Sequence, residues 1–269
     1  MEGRAAAVPR LPRLGQSAMV CSVARARGEA MAEGRPTREE IARMIVEAPG
    51  NAPEYSFEAI EQRKDSPIAG GRLAVLGSSV AFGAGSFQWA VGEYLSRRLG
   101  CDLVKSAVSG TTLADQGQLS YVSRLHTDFD PRDHFDAFIC QLSTNDATKG
   151  VALGEVGDGR ALADFDATTT AGAMEHIVCH VRQAWECPVL FFTGSRFESA
   201  AYQQMYDLLC QVRDKWGTGV LDLWNNETIN GVPEQQKSLY VLDGIHPTKA
   251  GYRDWWGPEL ERQLLAYLA

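Results

Sequence analysis

The stretch Leu73-Ala74-Val75-Leu76-Gly77-Ser78-Ser79 decides the fold. Its four consecutive apolar residues do not alternate with polar ones, so they predict a strand that is buried on both faces, as in a parallel sheet. Gly77 then permits a tight turn, and two serines follow where the strand ends. The stretch therefore predicts a covered parallel sheet that presents hydroxyl groups at the carboxyl end of one strand.

Four further apolar runs and four longer amphipathic stretches extend this pattern through the chain. The runs predict strands at residues 103–108, 137–142, 188–193 and 220–223, and the stretches predict helices at residues 87–99, 165–185, 199–216 and 250–268. Thr37 and Glu40 fit a capping box that opens a short helix through about residue 46. Repeated strand–helix–strand alternation implies right-handed crossovers and a doubly wound α/β fold.

Three more polar segments follow apolar runs farther along the chain. They are Ser109-Gly110-Thr111, Ser143-Thr144-Asn145-Asp146 and Leu242-Asp243-Gly244-Ile245-His246-Pro247. Ligands of open α/β sheets bind at the carboxyl ends of the strands, so we expect these segments to meet at one edge. Each one alone also fits an ordinary turn or a helix cap. Together they supply a serine, two oxyanion donors, an aspartate and a histidine, which are the parts of an acyl-transfer hydrolase.

Other kinds of site receive less support from the sequence. No lysine follows Gly83, so the phosphate-binding loop pattern fails, and GxGxxG is absent. His176 and His180 are four residues apart on a predicted helix, but no glutamate lies between them as in HExxH. His126 and His134 are weaker base candidates than His246. The six cysteines show no CxxC pair or Cys/His cluster, and the sequence indicates no metal or organic cofactor.

Composition and charge limit which partners and which location we expect for this protein. A formal net charge of −8 argues against nucleic acid or an anionic membrane surface as the main partner, and no segment approaches the length of an apolar membrane span. Residues 1–30 carry five Arg and two Glu, so residues 1–35 are expected to be a disordered N-terminal extension, with a transit peptide as the alternative. Scattered cysteines without a secretory signal predict reduced thiols and a cytoplasmic location.

The four polar segments together resemble the GDSL/SGNH hydrolase family, in the expected order. The resemblance implies a flavodoxin-like three-layer α/β/α sandwich with about five parallel strands over residues 72–269. The residues before it, 36–71, are expected to form a helical approach segment. It implies that Ser79 is the nucleophile and that Ser79, Gly110 and Asn145 form the oxyanion hole. Asp243 and His246 match the closing DxxH motif, with His246 as the base.

Two positions depart from the family pattern. Ser78 stands where the family has the aspartate of GDS, so Ser78 remains an alternative nucleophile beside Ser79. Ser143 stands where the third block usually has glycine, and this change is expected to strain the backbone or alter the oxyanion geometry. Asn145 and Asp146 of that block are retained.

The function predicted from the sequence is hydrolysis of a small-molecule carboxylic ester through an acyl-enzyme. The alternatives are a thioesterase or lysophospholipase, and a catalytically silent carbohydrate-binding α/β module. Residues 149–163 are Gly-rich and form either a loop at the substrate mouth or a plain connection. The sequence does not determine the acyl length, the alcohol or the oligomeric state. Four aromatic residues either pack in the core or line an acyl or sugar pocket: Phe82, Phe87, Trp89 and Trp224.

Overall fold

Five parallel strands form the centre of the computed structural model, which describes residues 36–269. In chain order they are β1 (Arg72–Gly77), β2 (Asp102–Ala107), β3 (Ala137–Gln141), β4 (Val189–Phe192) and β5 (Gly219–Leu221). They lie side by side in the order β2-β1-β3-β4-β5. The predicted doubly wound, flavodoxin-like sheet is confirmed. The expectation of a disordered segment at residues 1–35 lies outside the described residues.

Helices cover both faces of this sheet. In chain order they are α1 (Arg38–Glu47), α2 (Ser79–Phe82), α3 (Val91–Leu99), α4 (Tyr121–Thr127), α5 (Thr144–Lys149), α6 (Thr170–Ala184), α7 (Ala200–Trp216), α8 (Glu227–Asn230), α9 (Glu234–Tyr240) and α10 (Gly257–Leu268). Short 3₁₀ turns occupy Pro49–Asn51, Pro53–Tyr55, Phe57–Ala59 and Leu162–Asp164. Within residues 36–269, no helix combines the length and the apolar character that crossing a membrane requires.

The uninterrupted apolar strands supply two separate cores. Side chains alternate across a strand, so Ala74 and Leu76 of β1 pack on one face while Leu73 and Val75 pack on the other. The first face lies under α4, α6 and α7, and the second lies under α3 and α10. This two-sided burial is why β1, β3 and β4 are predominantly apolar, whereas the partly buried edge strand β2 contains Asp102, Lys105 and Ser106.

Three helix boundaries differ from the sequence predictions. The helix predicted from residue 87 begins at Val91, because Phe87 and Gln88 have left-handed φ values of 56° and 69° that a helix cannot contain. The helix predicted from residue 165 begins at Thr170, where the side chain of Thr169 accepts a hydrogen bond from the amide of Gly172. The predicted last helix is divided into a π-helical segment, Gly251–Trp256, and α10.

The capping box at α1 forms as predicted. The amide of Glu40 donates to the Thr37 hydroxyl at 3.2 Å, and the amide of Thr37 donates to the Glu40 carboxylate at 2.6 Å. Farther along, the buried Asn51 donates from Nδ2 to the carbonyls of Ile45 and Gly85, both at 2.8 Å. These bonds attach the segment before β1 to the loop that follows α2.

Candidate active site

The loop after β1 has no space for side chains at its turn. A Cβ on Gly77 would lie 2.3 Å from the Cβ of Ala81, so only glycine allows the chain to pass directly into α2. Gln141, the last residue of β3, supports the loop: its Oε1 accepts from the amide of Ser78 at 3.0 Å and from the amide of Ala81 at 2.9 Å. These contacts fix the backbone on either side of Ser79.

The two adjacent serines have different surroundings. Ser78 is fully buried, and its hydroxyl accepts a hydrogen bond from Nε2 of Gln141 at 3.1 Å. Ser79 begins α2, and its Oγ lies 2.8 Å from Nε2 of His246. Of the two serines, Ser79 is therefore the one in contact with an imidazole.

The histidine belongs to a tight loop that one carboxylate closes. Oδ1 of Asp243 accepts from the amides of Ile245 and His246 at 3.1 and 2.9 Å, and Oδ2 lies 2.7 Å from Nδ1 of the imidazole. Gly244 has a left-handed φ of 83°, which completes the turn. One oxygen thus holds the loop backbone and the other holds the ring, so that Nε2 faces Ser79.

Asp243 is ionised over the range of pH in which proteins are usually assayed. Partial burial raises the pKa of this carboxyl, but the hydrogen bond and the charge of His246, together with the two backbone amides, lower it overall to about 2. The side chain of Asp243 is 44% exposed and that of His246 is 24% exposed. The pair is consequently open to solvent on one side.

Hydrogen bonds join the loop that carries Gly110 to the helix α5, which carries Asn145 in its first turn. Gly110 has a left-handed φ of 79°, and its carbonyl accepts from Nζ of Lys149 at 2.6 Å. Nδ2 of Asn145 donates to the carbonyl of Thr111 at 2.9 Å. An amide group has two donor hydrogens, so this bond orients the Asn145 side chain and leaves its second hydrogen available.

Ser143 and Asp146 shape the start of α5. The helix cap is Ser143, whose hydroxyl accepts from the amides of Asn145 and Asp146, so the capping role considered for Asn145 is wrong. The backbone of Ser143 is ordinary, with φ −75° and ψ 122°, and the expected strain is absent there. The buried Asp146 accepts from the amides of Leu113 at 2.7 Å and Ala114 at 3.0 Å, and burial raises the pKa of its carboxyl.

A buried arginine, which sequence reasoning missed, connects two of these segments with strand β2. Arg124 of α4 is 2% exposed and donates from Nη2 to the carbonyl of Gly77 at 2.7 Å and to Oγ1 of Thr111 at 3.3 Å. Its Nη1 donates to Oγ of Ser106, near the end of β2, at 2.5 Å. The loops after β1 and β2 are thus attached to one rigid cation.

Sequence reasoning also missed Gln141 and Asn51. Gln141 did leave a signal, because it is a polar residue at the end of the otherwise apolar run 137–142. Asn51 left none: its Oδ1 accepts from the amide of Lys249 at 2.9 Å, across 198 residues of sequence. Contacts of this kind depend on the folded arrangement and have no local pattern.

The remaining histidines lie elsewhere. His176 and His180 of α6 pack against His126 of α4, with Nε2 of His126 and His176 3.0 Å apart. Burial and, to a smaller extent, the neighbouring imidazoles of His126 and His176 together lower the pKa of His180 to about 4. His134 is exposed and faces Asp136. Across residues 36–269, His, Cys, Asp and Glu side chains form no group of three or more that is arranged to hold a metal ion.

The Gly-rich loop before α6 runs away from Ser79. The carbonyls of Gly157 and Gly159 accept from Nζ of Lys215 at 2.6 and 2.5 Å, near the end of α7. That end of α7 leads directly into β5 and lies at the amino edge of the sheet. This part of the loop is therefore a connection on the side opposite the Ser79–His246 pair.

Solved structures with the same fold include two bacterial lipase-like proteins. A possible lipase from Chitinophaga pinensis is 14% identical, with a TM-score of 0.55 over 74% of this chain and 100% of its own. The lipase/acylhydrolase from Enterococcus faecalis is 13% identical, with a TM-score of 0.52 over 73% of this chain and 96% of its own. A protein from Lactobacillus plantarum is 20% identical, with a TM-score of 0.59 over 75% and 97%. Likeness at these identities is a likeness of fold.

Sequence comparison identifies the family directly. No curated protein matches the chain. Residues 75–253, more than half of the chain, match the GDSL-like Lipase/Acylhydrolase family. This range includes all four polar segments and the whole sheet except the first residues of β1. The resemblance seen in the motifs is confirmed, and the chain belongs to the GDSL-like lipase/acylhydrolase family.

Proposed function

We propose that the protein hydrolyses carboxylic esters through a covalent acyl-enzyme, with Ser79 as nucleophile and His246 as base. The observation that carries this proposal is the continuous hydrogen-bonded series from Asp243 through His246 to Ser79, with distances of 2.7 and 2.8 Å. A serine hydroxyl is a weak nucleophile on its own, and a neighbouring imidazole that accepts its proton activates it.

The first half of the reaction forms the acyl-enzyme. Nε2 of His246 takes the proton of Ser79 while Oγ attacks the ester carbonyl carbon. The resulting imidazolium is stabilised by Asp243, whose carboxylate is ionised at any pH well above its pKa of about 2. His246 then gives this proton to the alcohol oxygen as the bond between carbon and that oxygen breaks, and the alcohol leaves.

The second half repeats these steps with water. His246 removes a proton from water as its oxygen attacks the acyl carbon, and then returns the proton to Oγ of Ser79 as the acid departs. No net oxidation or reduction occurs, and the products are an alcohol and a carboxylic acid.

Three donors are proposed to stabilise the oxyanion of each tetrahedral intermediate. They are the amides of Ser79 and Gly110 and the second Nδ2 hydrogen of Asn145. The bond from Asn145 to the Thr111 carbonyl supports this role, because it fixes the amide plane before the substrate arrives. Preorganised donors of this type contribute strongly to catalysis, since they need no rearrangement as charge develops.

The test compares wild type, Ser79→Ala and Ser78→Ala in two assays. One assay measures hydrolysis of p-nitrophenyl acetate, and the other measures covalent labelling by a fluorophosphonate. We expect Ser79→Ala to lose both, while Ser78→Ala keeps both, because the Ser78 hydroxyl is buried against Gln141. Loss of labelling in Ser78→Ala alone would assign the nucleophile to Ser78. An unlabelled wild type without activity would favour the silent binding module.

A further inference from the structure

A small apolar recess lies between the carboxyl ends of β1, β3 and β4. Its walls include Val80, Leu142, Thr144, Phe192, Phe197 and Ile245. The recess leaves about 10 Å³ free, roughly the space of one water molecule or methyl group. It is therefore large enough for the end of a very short chain and too small for a longer one.

The recess is adjacent to the proposed catalytic groups. Val80 directly follows the proposed nucleophile, Thr144 directly precedes the proposed oxyanion donor of α5, and Ile245 directly precedes the proposed base. Three of the residues that line the recess are thus immediate chain neighbours of the proposed catalytic groups.

The strand order determines which part of the substrate faces the recess. β1 lies between β2 and β3, so Ser79 lies between the Gly110 loop, which follows β2, and the recess, which borders β3 and β4. A carbonyl oxygen that points at Gly110 directs a substituent of the carbonyl carbon to the opposite side. That substituent is either the acyl chain or the alcohol.

Solvent exposure distinguishes the two substituents. The alcohol has to be protonated by His246 and then diffuse away, and the partly exposed Asp243 and His246 provide an open side for it. The acyl group stays bound to Ser79 until water attacks, so a closed apolar site suits it better. We propose that the recess is the acyl site, that the natural acyl group is acetyl, and that Phe197 determines this specificity; the proposal rests on the proposed function.

Phe197 closes the recess with a ring that other aromatic groups hold in place. It lies in the loop after β4, and its ring centroid is 5.0 Å from that of Tyr202 and 5.2 Å from that of Trp224. Phe192 also lines the recess, but it is a fully buried strand residue of the sheet core. Phe197 is half-buried, so it can be shortened with less damage to the core. Of the aromatic residues considered from the sequence, Trp224 packs against the ring of Phe197.

The experiment measures kcat/KM for p-nitrophenyl acetate, butyrate and hexanoate. The variants are wild type, Phe197→Ala, Phe197→Leu and the control Phe165→Ala, and thermal unfolding is recorded for each. Phe165 is a matched control because it is also half-buried and also packs on a tryptophan, Trp216, but lies outside the recess. Phe197→Leu enlarges the recess less and serves if Phe197→Ala unfolds.

In wild type and in Phe165→Ala, we expect kcat/KM for acetate to exceed that for butyrate by roughly tenfold or more, and hexanoate to be poorer still. In Phe197→Ala the preference for acetate over butyrate should shrink by about tenfold or reverse, with a smaller shift in Phe197→Leu. Wild type that prefers hexanoate, or Phe197 variants with the wild-type chain-length profile, would overturn the acyl site while Ser79-dependent hydrolysis stands. A Ser79-independent hydrolysis, or none, would overturn both proposals.

Discussion

Gln141 and Ser78 form two hydrogen bonds with each other, one through the backbone and one through the side chains. The amide of Ser78 donates to Oε1 of Gln141 at 3.0 Å, and Nε2 of Gln141 donates to Oγ of Ser78 at 3.1 Å. Ser78 stands where the family pattern has aspartate, so this chain holds the loop before Ser79 with a glutamine–serine pair at that place.

The first prediction follows from this pair. Gln141→Leu leaves the buried amides of Ser78 and Ala81 without their acceptor, and an unsatisfied buried donor costs about 1–3 kcal/mol. We expect a lower free energy of unfolding and at least a roughly tenfold lower kcat, because the loop that carries Ser79 loses its support. Ser78→Ala keeps both amide bonds and is the control, with near wild-type kcat. Equal effects in the two variants would show that the hydroxyl, and not the backbone support, matters.

The second prediction concerns Asp243. Asp243→Asn removes the negative charge beside Nδ1 of His246 and can present an N–H where the imidazole N–H must donate, which favours the wrong tautomer. We expect kcat for p-nitrophenyl acetate to fall by about 10²-fold or more, with little change in KM. Stopped-flow or steady-state kinetics at pH 8 measures this. An unchanged kcat would mean that Asp243 only closes its loop.

The third prediction gives the pH dependence of stability that Asp243 causes. Its pKa in the folded protein is about 2, below the value of about 3.9 for an unfolded aspartate. The ionised carboxylate therefore stabilises the fold fully above about pH 4, and this contribution is lost as the pH falls from about 4 to about 2. We expect the Tm of wild type to fall more steeply in that interval than the Tm of Asp243→Asn. Because the side chain is 44% exposed, the difference is modest, and parallel curves would contradict the assignment.

The sheet could be predicted closely from the sequence because its central strands β1, β3 and β4 are buried on both faces. Continuous apolar runs such as Leu73–Leu76 are typical of strands in a covered parallel sheet, and their side chains pack into the cores on both faces. The loops of the candidate site followed from the same reasoning, since parallel strands bring their carboxyl ends to one edge. Ser79 and His246 are 167 residues apart in sequence and 2.8 Å apart in the fold.

What could not be predicted depends on tertiary contacts. Nothing local marks Arg124 as a buried cation, because arginine in an amphipathic helix usually faces solvent. The late start of α3 is equally hidden, since Phe87 and Gln88 adopt left-handed backbone against their intrinsic preference. The carbonyls of Phe82 and Gln88 accept from the single ammonium group of Lys105, at 3.4 and 3.3 Å, which holds this loop in place.

The fourth prediction concerns Arg124. Arg124→Met keeps much of the side-chain volume but leaves the carbonyl of Gly77 without the guanidinium donor. Arg124→Lys keeps the charge but cannot reach Gly77, Thr111 and Ser106 with one fixed fork. We expect both variants to lower the Tm and to reduce kcat more than they raise KM, because the loops carrying Ser79 and Gly110 lose their shared anchor. Wild-type kcat in a destabilised Arg124→Lys would limit Arg124 to a role in stability.

The last prediction compares two side chains near the proposed oxyanion hole, Asn145 and Lys149. Asn145→Ala removes a proposed oxyanion donor, and losing one such donor typically costs about 10²–10³ in kcat. Nζ of Lys149 donates to the carbonyl of Gly110, at 2.6 Å and near solvent. Lys149→Met therefore affects the position of Gly110 indirectly, and we expect a reduction in kcat of less than about tenfold. KM should change little in either variant, because the oxyanion forms only after binding. If Asn145→Ala raises KM and spares kcat, Asn145 binds the ester in its ground state. If both variants lose kcat equally, the position of the loop that carries Gly110 sets the rate, and the amide hydrogen of Asn145 does not.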